Sequence, residues 1–171
     1  MGRGKIVFVL GGARSGKSSF ALKKASALAG SKAYIATAQA LDAEMQQRID
    51  RHKAERAGGW QTFEEPLNIH DLINRIHGRY DVLLVDCLTL WISNLMLSNN
   101  DIEGIVQKMV DALSSCRSSV FAVSNEVGLG IVPDNRLARE FRDITGTLNQ
   151  KIAALADEVY FLAAGLPIKI K

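Results

Sequence analysis

Gly11-Gly12-Ala13-Arg14-Ser15-Gly16-Lys17-Ser18 is the stretch on which the reading of this chain turns. An apolar run, Ile6-Val7-Phe8-Val9-Leu10, precedes it, and an alanine-rich helical segment follows. Strand, glycine loop and helix in that order match the phosphate-binding pattern G-x-x-x-x-G-K-[ST] in the context that gives the pattern its meaning. Glycines let main-chain N–H groups turn inward around a polyphosphate, at dihedrals that a residue with a Cβ holds only at a cost. The first N–H groups of the following helix, with its dipole, add attraction for anions. In this arrangement Lys17 reaches the β- and γ-phosphates, and the Ser18 hydroxyl ligates Mg2+. A chance glycine turn between a core strand and a helix does not account for flanking structure and spacing together. The expected ligand is a nucleoside triphosphate.

Composition narrows the rest. At 171 residues with 47% hydrophobic content, residues 1–171 read as a single domain large enough to bury a continuous core. A net charge of +3 without a basic block favours phosphate binding at one pocket over a nucleic-acid footprint. Cys87 and Cys116 form neither a metal-ligand spacing nor a disulfide framework. No apolar run approaches membrane-spanning length and no signal peptide is visible, so no membrane insertion is expected and the reduced cytoplasm is the default.

Outward from the loop, Phe20, Ala21, Lys24, Ala25 and Leu28 fall on one helical face that Gly30 stops. Ala33 to Ala36 reads as a short strand, and Leu41, Met45 and Ile49 recur at helical spacing, a face that His52 extends. Trp60 to Glu64 reads as a short extended piece. Ile69, Leu72, Ile73 and Ile76 describe a helix closed by Gly78. Val82-Leu83-Leu84-Val85-Asp86 is a wholly apolar run ending in an acid, the pattern of a buried parallel strand with a carboxylate at its C-terminal edge. In open α/β sheets ligands sit at that edge. A helix over Leu88–Leu97, a turn and cap at Asn99-Asn100-Asp101, a helix over Ile102–Ser114 and a strand over Val120–Val123 follow. Ser124 to Val132 reads as a glycine-bearing loop, and Pro133 or Asp134 as the start of a long helix. Leu137, Phe141, Ile144, Leu148, Ile152 and Leu155 form that helix's apolar stripe; Arg136, Arg139, Arg142 and Asn149 stand on its other face. Val159–Leu162 and Ile168–Ile170 finish the chain as strands separated by Gly165 and Pro167. The alternation implies a three-layer α/β fold of the phosphate-loop NTPase type, with a mostly parallel central sheet.

Several residues have the chemistry for a role. Asp86 suits a carboxylate holding Mg2+ or its water shell near Lys17 and Ser18; the competing role is a helix cap. His52, taken alone, reads as a packed core residue. Its neighbours Arg48, Arg51, Lys53 and Arg56 are either a solvated face or a cradle for triphosphate charge, and nearby positive charge favours the neutral imidazole that attacks phosphorus. His70 and His77 read as surface or packing residues. Glu64 is either an exposed glutamate or a ligand of base or ribose, and Arg136, Arg139 and Arg142 bind a phosphorylated substrate or form surface ion pairs.

Taken together, the segments resemble the bifunctional adenosylcobinamide kinase and adenosylcobinamide-phosphate guanylyltransferase family of cobalamin biosynthesis. The resemblance covers nearly the whole chain. It rests on the glycine loop, Tyr34-Ile35-Ala36-Thr37-Ala38, Glu44-Met45 through Arg48-Ile49-Asp50-Arg51-His52-Lys53, and Asp86-Cys87-Leu88-Thr89. Ser124-Asn125-Glu126-Val127-Gly128-Leu129-Gly130-Ile131-Val132-Pro133, Arg136-Leu137-Ala138-Arg139, Phe141-Arg142-Asp143 and Gly146 complete it. It implies phosphorylation of adenosylcobinamide by ATP or GTP, then transfer of GMP from GTP, through a guanylylated histidine, to adenosylcobinamide phosphate. It makes His52 the histidine that carries GMP, against the reading of that residue alone. The implied nucleotide contacts are Gly11, Gly12, Ala13, Arg14, Ser15, Gly16, Lys17 and Ser18; Ala36, Thr37 and Ala38; Lys53, Ala54, Glu55 and Arg56; and Glu64 and Asp86. A homotrimer is implied as well. One departure is Ala57-Gly58-Gly59, where many relatives have proline after the residue matching Arg56. The alternative from another class is a nucleotide-gated regulatory module, which turns over triphosphate without covalent nucleotide or a small-molecule acceptor.

Overall fold

The computed structural model describes residues 2–40, 43, 46–47, 58–98 and 101–171. Among these, the strands are β1 (Ile6–Gly11), β2 (Lys32–Ala36), β3 (Trp60–Glu64), β4 (Val82–Asp86), β5 (Ser119–Asn125), β6 (Glu158–Ala163) and β7 (Leu166–Lys169). The helices are α1 (Lys17–Ser26), α2 (Ile69–Ile76), α3 (Leu88–Leu97), α4 (Ile102–Ser115) and α5 (Arg136–Leu155). The strands form one sheet in the order β3-β2-β4-β5-β1-β6-β7, parallel throughout except for the antiparallel β6–β7 pair.

Strand alternation sorts the core into two layers. Ile6 and Phe8 of β1, Leu83 and Val85 of β4, and Val120 and Ala122 of β5 face the layer built by α2, α3, α4 and α5. Val7 and Val9, Val82 and Leu84, and Phe121 and Val123 face the opposite side, where Ala21 and Ala25 of α1 cover them. Central parallel strands therefore need apolar side chains at every position, which is the reason for their uninterrupted hydrophobic runs. Each fully buried leucine or phenylalanine contributes about 1.5–3 kcal/mol. Trp91 is buried in the larger layer and donates its indole N–H to the Leu67 carbonyl at 2.7 Å, so its polar atom is matched.

Several boundaries differ from the sequence expectations. Helix α1 ends at Ser26, and Leu28 lies beyond it, exposed rather than on the buried face. Helix α5 starts at Arg136, not at Pro133 or Asp134, because Asn135 caps it by accepting the Ala138 N–H at 2.8 Å. Leu137, in its first turn, is exposed, whereas Asn149 is buried against the sheet and not on the solvated face. The piece Trp60–Glu64 is a true parallel edge strand on β2. Pro167 lies inside β7 instead of separating two strands. Only Ala164 and Gly165, with φ of 50° and 82°, make the turn, and a proline is tolerated on an edge strand because one side of the strand makes no ladder. Strand β5 runs to Asn125, two residues past the expected end, so Ser124 and Asn125 belong to the sheet and not to the loop. Of the expected helix, Leu41, Met45, Ile49 and His52 lie outside the described residues, as do the turn residues Asn99 and Asn100; Asp101 caps α4 through the Gly104 N–H.

Candidate nucleotide site at the phosphate loop

The loop between β1 and α1 is tightly constrained. A Cβ on Gly11 would stand 2.6 Å from both the Leu162 carbonyl oxygen and the Ser15 Oγ, so the position admits only glycine. Gly16, at φ 89°, is the left-handed residue that starts α1. From outside, the β6–β7 turn braces the loop: Gly165 donates its N–H to the Ser15 carbonyl at 3.0 Å. Inside it, Lys17 is buried, and its Nζ donates to the Gly12 carbonyl at 2.6 Å. The ammonium thus lies across the mouth of the loop, where phosphate oxygens would compete for it. The Ser15 hydroxyl is buried with no hydrogen-bond partner, an orphan that a ligand oxygen inside the loop would satisfy. Arg14 and Ala13 are exposed at the loop's tip, Gly12 has open space beside it, and Ser18 is half-buried in the first turn of α1.

Asp86 ends β4 on the α1 side of the sheet, the side that Leu84 also faces. It does not cap α3, whose N-cap is Cys87 with no side-chain cap. Instead one carboxylate oxygen accepts the Tyr34 hydroxyl at 2.8 Å, which orients the group. Burial pushes the adjacent Cys87 thiol up to about 11; the Asp86 charge adds to the rise, while the Lys17 ammonium opposes it. Lys17, Asp86 and Cys87 therefore share one electrostatic neighbourhood at the C-terminal edge of the sheet.

The segment Ala36, Thr37 and Ala38 leaves β2 beside Asp86, with Ala36 and Asp86 level in register. Thr37 is fully buried. Its hydroxyl accepts the Cys87 N–H at 2.8 Å and donates to the Cys87 carbonyl at 2.7 Å. Its side chain is therefore a tie between strand ends, and Ala36 and Ala38 expose surface on either side of it. Glu64 is exposed at the end of β3, level with Ala36. Four strand spacings separate it from Gly11, about 19 Å, so it is remote from the phosphate loop. Arg139 is turned inward to the Pro133 and Asp134 carbonyls, and Arg142 to Asp143. His70 is buried in the first turn of α2, which packs on the face of the sheet opposite to that of Asp86. His52, Lys53, Ala54, Glu55 and Arg56 lie outside the described residues.

Two groups at this edge escape a reading by motif. Tyr34 is one, since strand alternation alone puts it on the same face as Asp86. The other is the polar cluster where β5 ends: Thr89 Oγ1 meets Ser124 Oγ at 3.1 Å and accepts the Asn125 N–H at 2.6 Å, while Asn149 Nδ2 donates to the Asn125 carbonyl at 3.2 Å.

The family model of cobinamide kinase / cobinamide phosphate guanyltransferase matches residues 7–170. The chain belongs to this family. Among curated proteins, it is 41% identical to the bifunctional adenosylcobalamin biosynthesis protein CobU of Salmonella typhimurium, covering 97% of this chain and 99% of that protein. It is 42% identical to CobP of Pseudomonas aeruginosa, with 95% of each chain covered, and 39% identical to CobU of Escherichia coli, with 97% and 99% covered. Solved structures resemble it in fold alone. The flagellar accessory protein FlaH of Methanocaldococcus jannaschii superposes with TM-score 0.57 at 14% identity, covering all of this chain and 80% of that one. A KaiC-like protein of Pyrococcus horikoshii gives 0.54 at 14% identity, covering 93% and 71%. A type III secretion ATPase gives 0.56 at 9% identity, covering 99% of this chain and 57% of that one. These neighbours and the glycine loop agree on a phosphate-loop NTPase-like architecture for this family member.

Proposed function

We propose that this chain phosphorylates adenosylcobinamide with ATP or GTP and then guanylylates the resulting phosphate with GTP, giving adenosylcobinamide-GDP. Family membership over nearly the full length supports the pair of reactions. The observation that carries the chemistry is the braced loop with its buried Lys17 and the orphaned Ser15 hydroxyl.

In the kinase step the loop N–H groups and Lys17 neutralise phosphate charge while the substrate hydroxyl attacks the terminal phosphorus. Positioning and charge stabilisation are most of what such a transfer requires. The residues fit Mg2+. Among the described residues no group of three His, Cys, Asp or Glu side chains forms a metal cage, while Ser18 and Asp86 supply hard oxygen ligands beside the loop, and Mg2+ is characteristically held by a few protein oxygens together with substrate phosphates. When bound, it would supply positive charge that offsets the charge of the phosphates. Ser18 and Asp86 would hold it, with Tyr34 keeping Asp86 in orientation.

In the second reaction the His52 imidazole attacks the α-phosphorus of GTP. An N–P bond forms as the bond to pyrophosphate breaks. The phosphate oxygen of the acceptor then attacks that phosphorus, the N–P bond breaks, and the imidazole is restored. One difficult displacement becomes two easier ones. Lys53 to Arg56 and Glu64 serve as further nucleotide contacts, Glu64 at the base or ribose end. The working form is a homotrimer in the cytoplasm, a compartment in keeping with the two buried, unpaired cysteines.

The decisive test is intact-mass analysis after incubation with GTP and Mg2+. Wild-type protein gains one GMP, and His52→Ala gains none and loses guanylyl transfer while keeping kinase activity. Unmodified wild-type protein would count against the transferase half, and kinase activity without guanylylated product would leave only the first reaction.

A further inference from the structure

Strand β5 lies between β4, which carries Asp86, and β1, which feeds the phosphate loop. Its register places Asp86 level with Val123 and Gly11 level with Asn125. Asn125 thus stands one same-face step beyond Asp86, on the strand between the two halves of the site. Val123 and Phe121 pack on the α1 side of the sheet, and alternation puts the Asn125 side chain on that side too, where α1 and Lys17 begin. Paired strands are about 4.8 Å apart, so the carboxamide stands beside the root of the loop.

The main chain of Asn125 is held from both sides while its side chain is left open. Thr89 from α3 takes its N–H, and Asn149 from α5 takes its carbonyl; both bracing side chains are 5% exposed. The next residue, Glu126, donates its N–H to the Gly11 carbonyl at 3.0 Å, which locks the strand end to the loop. Glu126 turns its own carboxylate onto the Gly128 N–H at 2.6 Å, away from this duty. The carboxamide of Asn125 is half-buried and has no hydrogen-bond partner among the described residues. Buried side chains from two helices therefore fix the position of a neutral donor that makes no bond of its own. A fixed donor of this kind is suited to charge on a ligand, since it needs no reorganisation when charge arrives.

We infer that Asn125 is a further catalytic residue, whose amide N–H groups donate to the terminal phosphate of a bound triphosphate between Lys17 and Asp86. The assignment rests on the phosphate-loop reading of the same site. Inner phosphates wrapped by the loop are served by its own N–H groups, whereas the outermost one projects toward the strand that separates the loop from Asp86. Asn125 therefore distinguishes a nucleoside triphosphate from a diphosphate. It also steadies the phosphoryl group during transfer.

Calorimetric titration with a non-hydrolysable GTP analogue and with GDP, each with Mg2+, tests this. Losing one hydrogen bond to a charged group should weaken the triphosphate analogue about ten- to a hundredfold in Asn125→Ala, with GDP affinity unchanged. Asn125→Asp, of nearly the same shape, should weaken the analogue further by placing a negative charge against phosphate, and it carries the comparison should the alanine variant unfold. An unchanged ratio of the two affinities overturns the proposal, whether both nucleotides weaken together or neither does. Wild-type protein that binds neither nucleotide would instead overturn the phosphate-loop reading, and this assignment with it.

Discussion

Lys17 shows what one residue can be asked to do. Its ammonium is buried and donates to the Gly12 carbonyl, so an arriving phosphate finds the charge already in place. Lys17→Ala should lower both cobinamide phosphorylation and guanylyl transfer by about a hundredfold or more, since removing one fixed stabiliser of transition-state charge typically costs that much. Assaying the two reactions separately checks it; loss of only one would show that they do not share this nucleotide site. The positions of Lys17, Ser18 and Asp86 at the C-terminal edge of the sheet were legible because each is set within a few residues of local sequence. Tyr34, Thr37 and Asn149 were not. Tyr34 meets Asp86 across 52 residues and Asn149 meets Asn125 across 24, and a hydroxyl or carboxamide at such a position reads in isolation as solvated. Their roles come from partners that the fold brings to them.

Among the elements, the β6–β7 hairpin carries more than its place at the end of the sheet suggests. Its turn braces the loop through Gly165, and the base of β6 gathers charge around Glu158 from the residue before β1, from α1 and from β7. Lys5 lies 2.7 Å from that carboxylate, Lys169 3.4 Å and Lys24 3.7 Å, with the Tyr160 hydroxyl donating at 2.9 Å. The Lys5 hydrogen bond, foremost among these, holds Glu158 down at about 2, against an ordinary value of 4.5. A carboxyl whose folded value is depressed contributes stability that is fully present above its unfolded value and is lost as pH falls. Between pH 4.5 and 2 the wild-type protein should therefore lose stability that Glu158→Gln, already less stable at pH 7, does not have to lose. Thermal melts of both proteins across that range should converge at the acid end; parallel curves would remove Glu158 from the account. Sequence periodicity foretold the strands and helices well where burial is one-sided or complete, as in β4 and α2. It failed at ends set by caps and turns, such as the Asn135 start of α5 and the extra length of β5, because a cap or a ladder bond is made with residues outside the periodic window.

At the scale of the whole molecule, a chain of 18.7 kDa folds around one sheet with helices on both faces. Sedimentation equilibrium at micromolar concentration should give three times that mass, and a strictly monomeric distribution with full guanylyl-transfer activity would dispose of the trimer. By itself the sequence determined the fold class, the phosphate loop and the resemblance to a kinase and guanylyltransferase family. Each of these is written in contiguous residues whose chemistry is local: glycines that free the backbone, a lysine and a serine at set spacing, and apolar runs that must be buried. Tertiary structure alone decided that Thr37 ties two strand ends, that Tyr34 orients Asp86, and that Asn125 stands open beside the loop. Those facts depend on strand order and register, which are settled by the packing of distant segments against one another and leave no mark on any single stretch of chain.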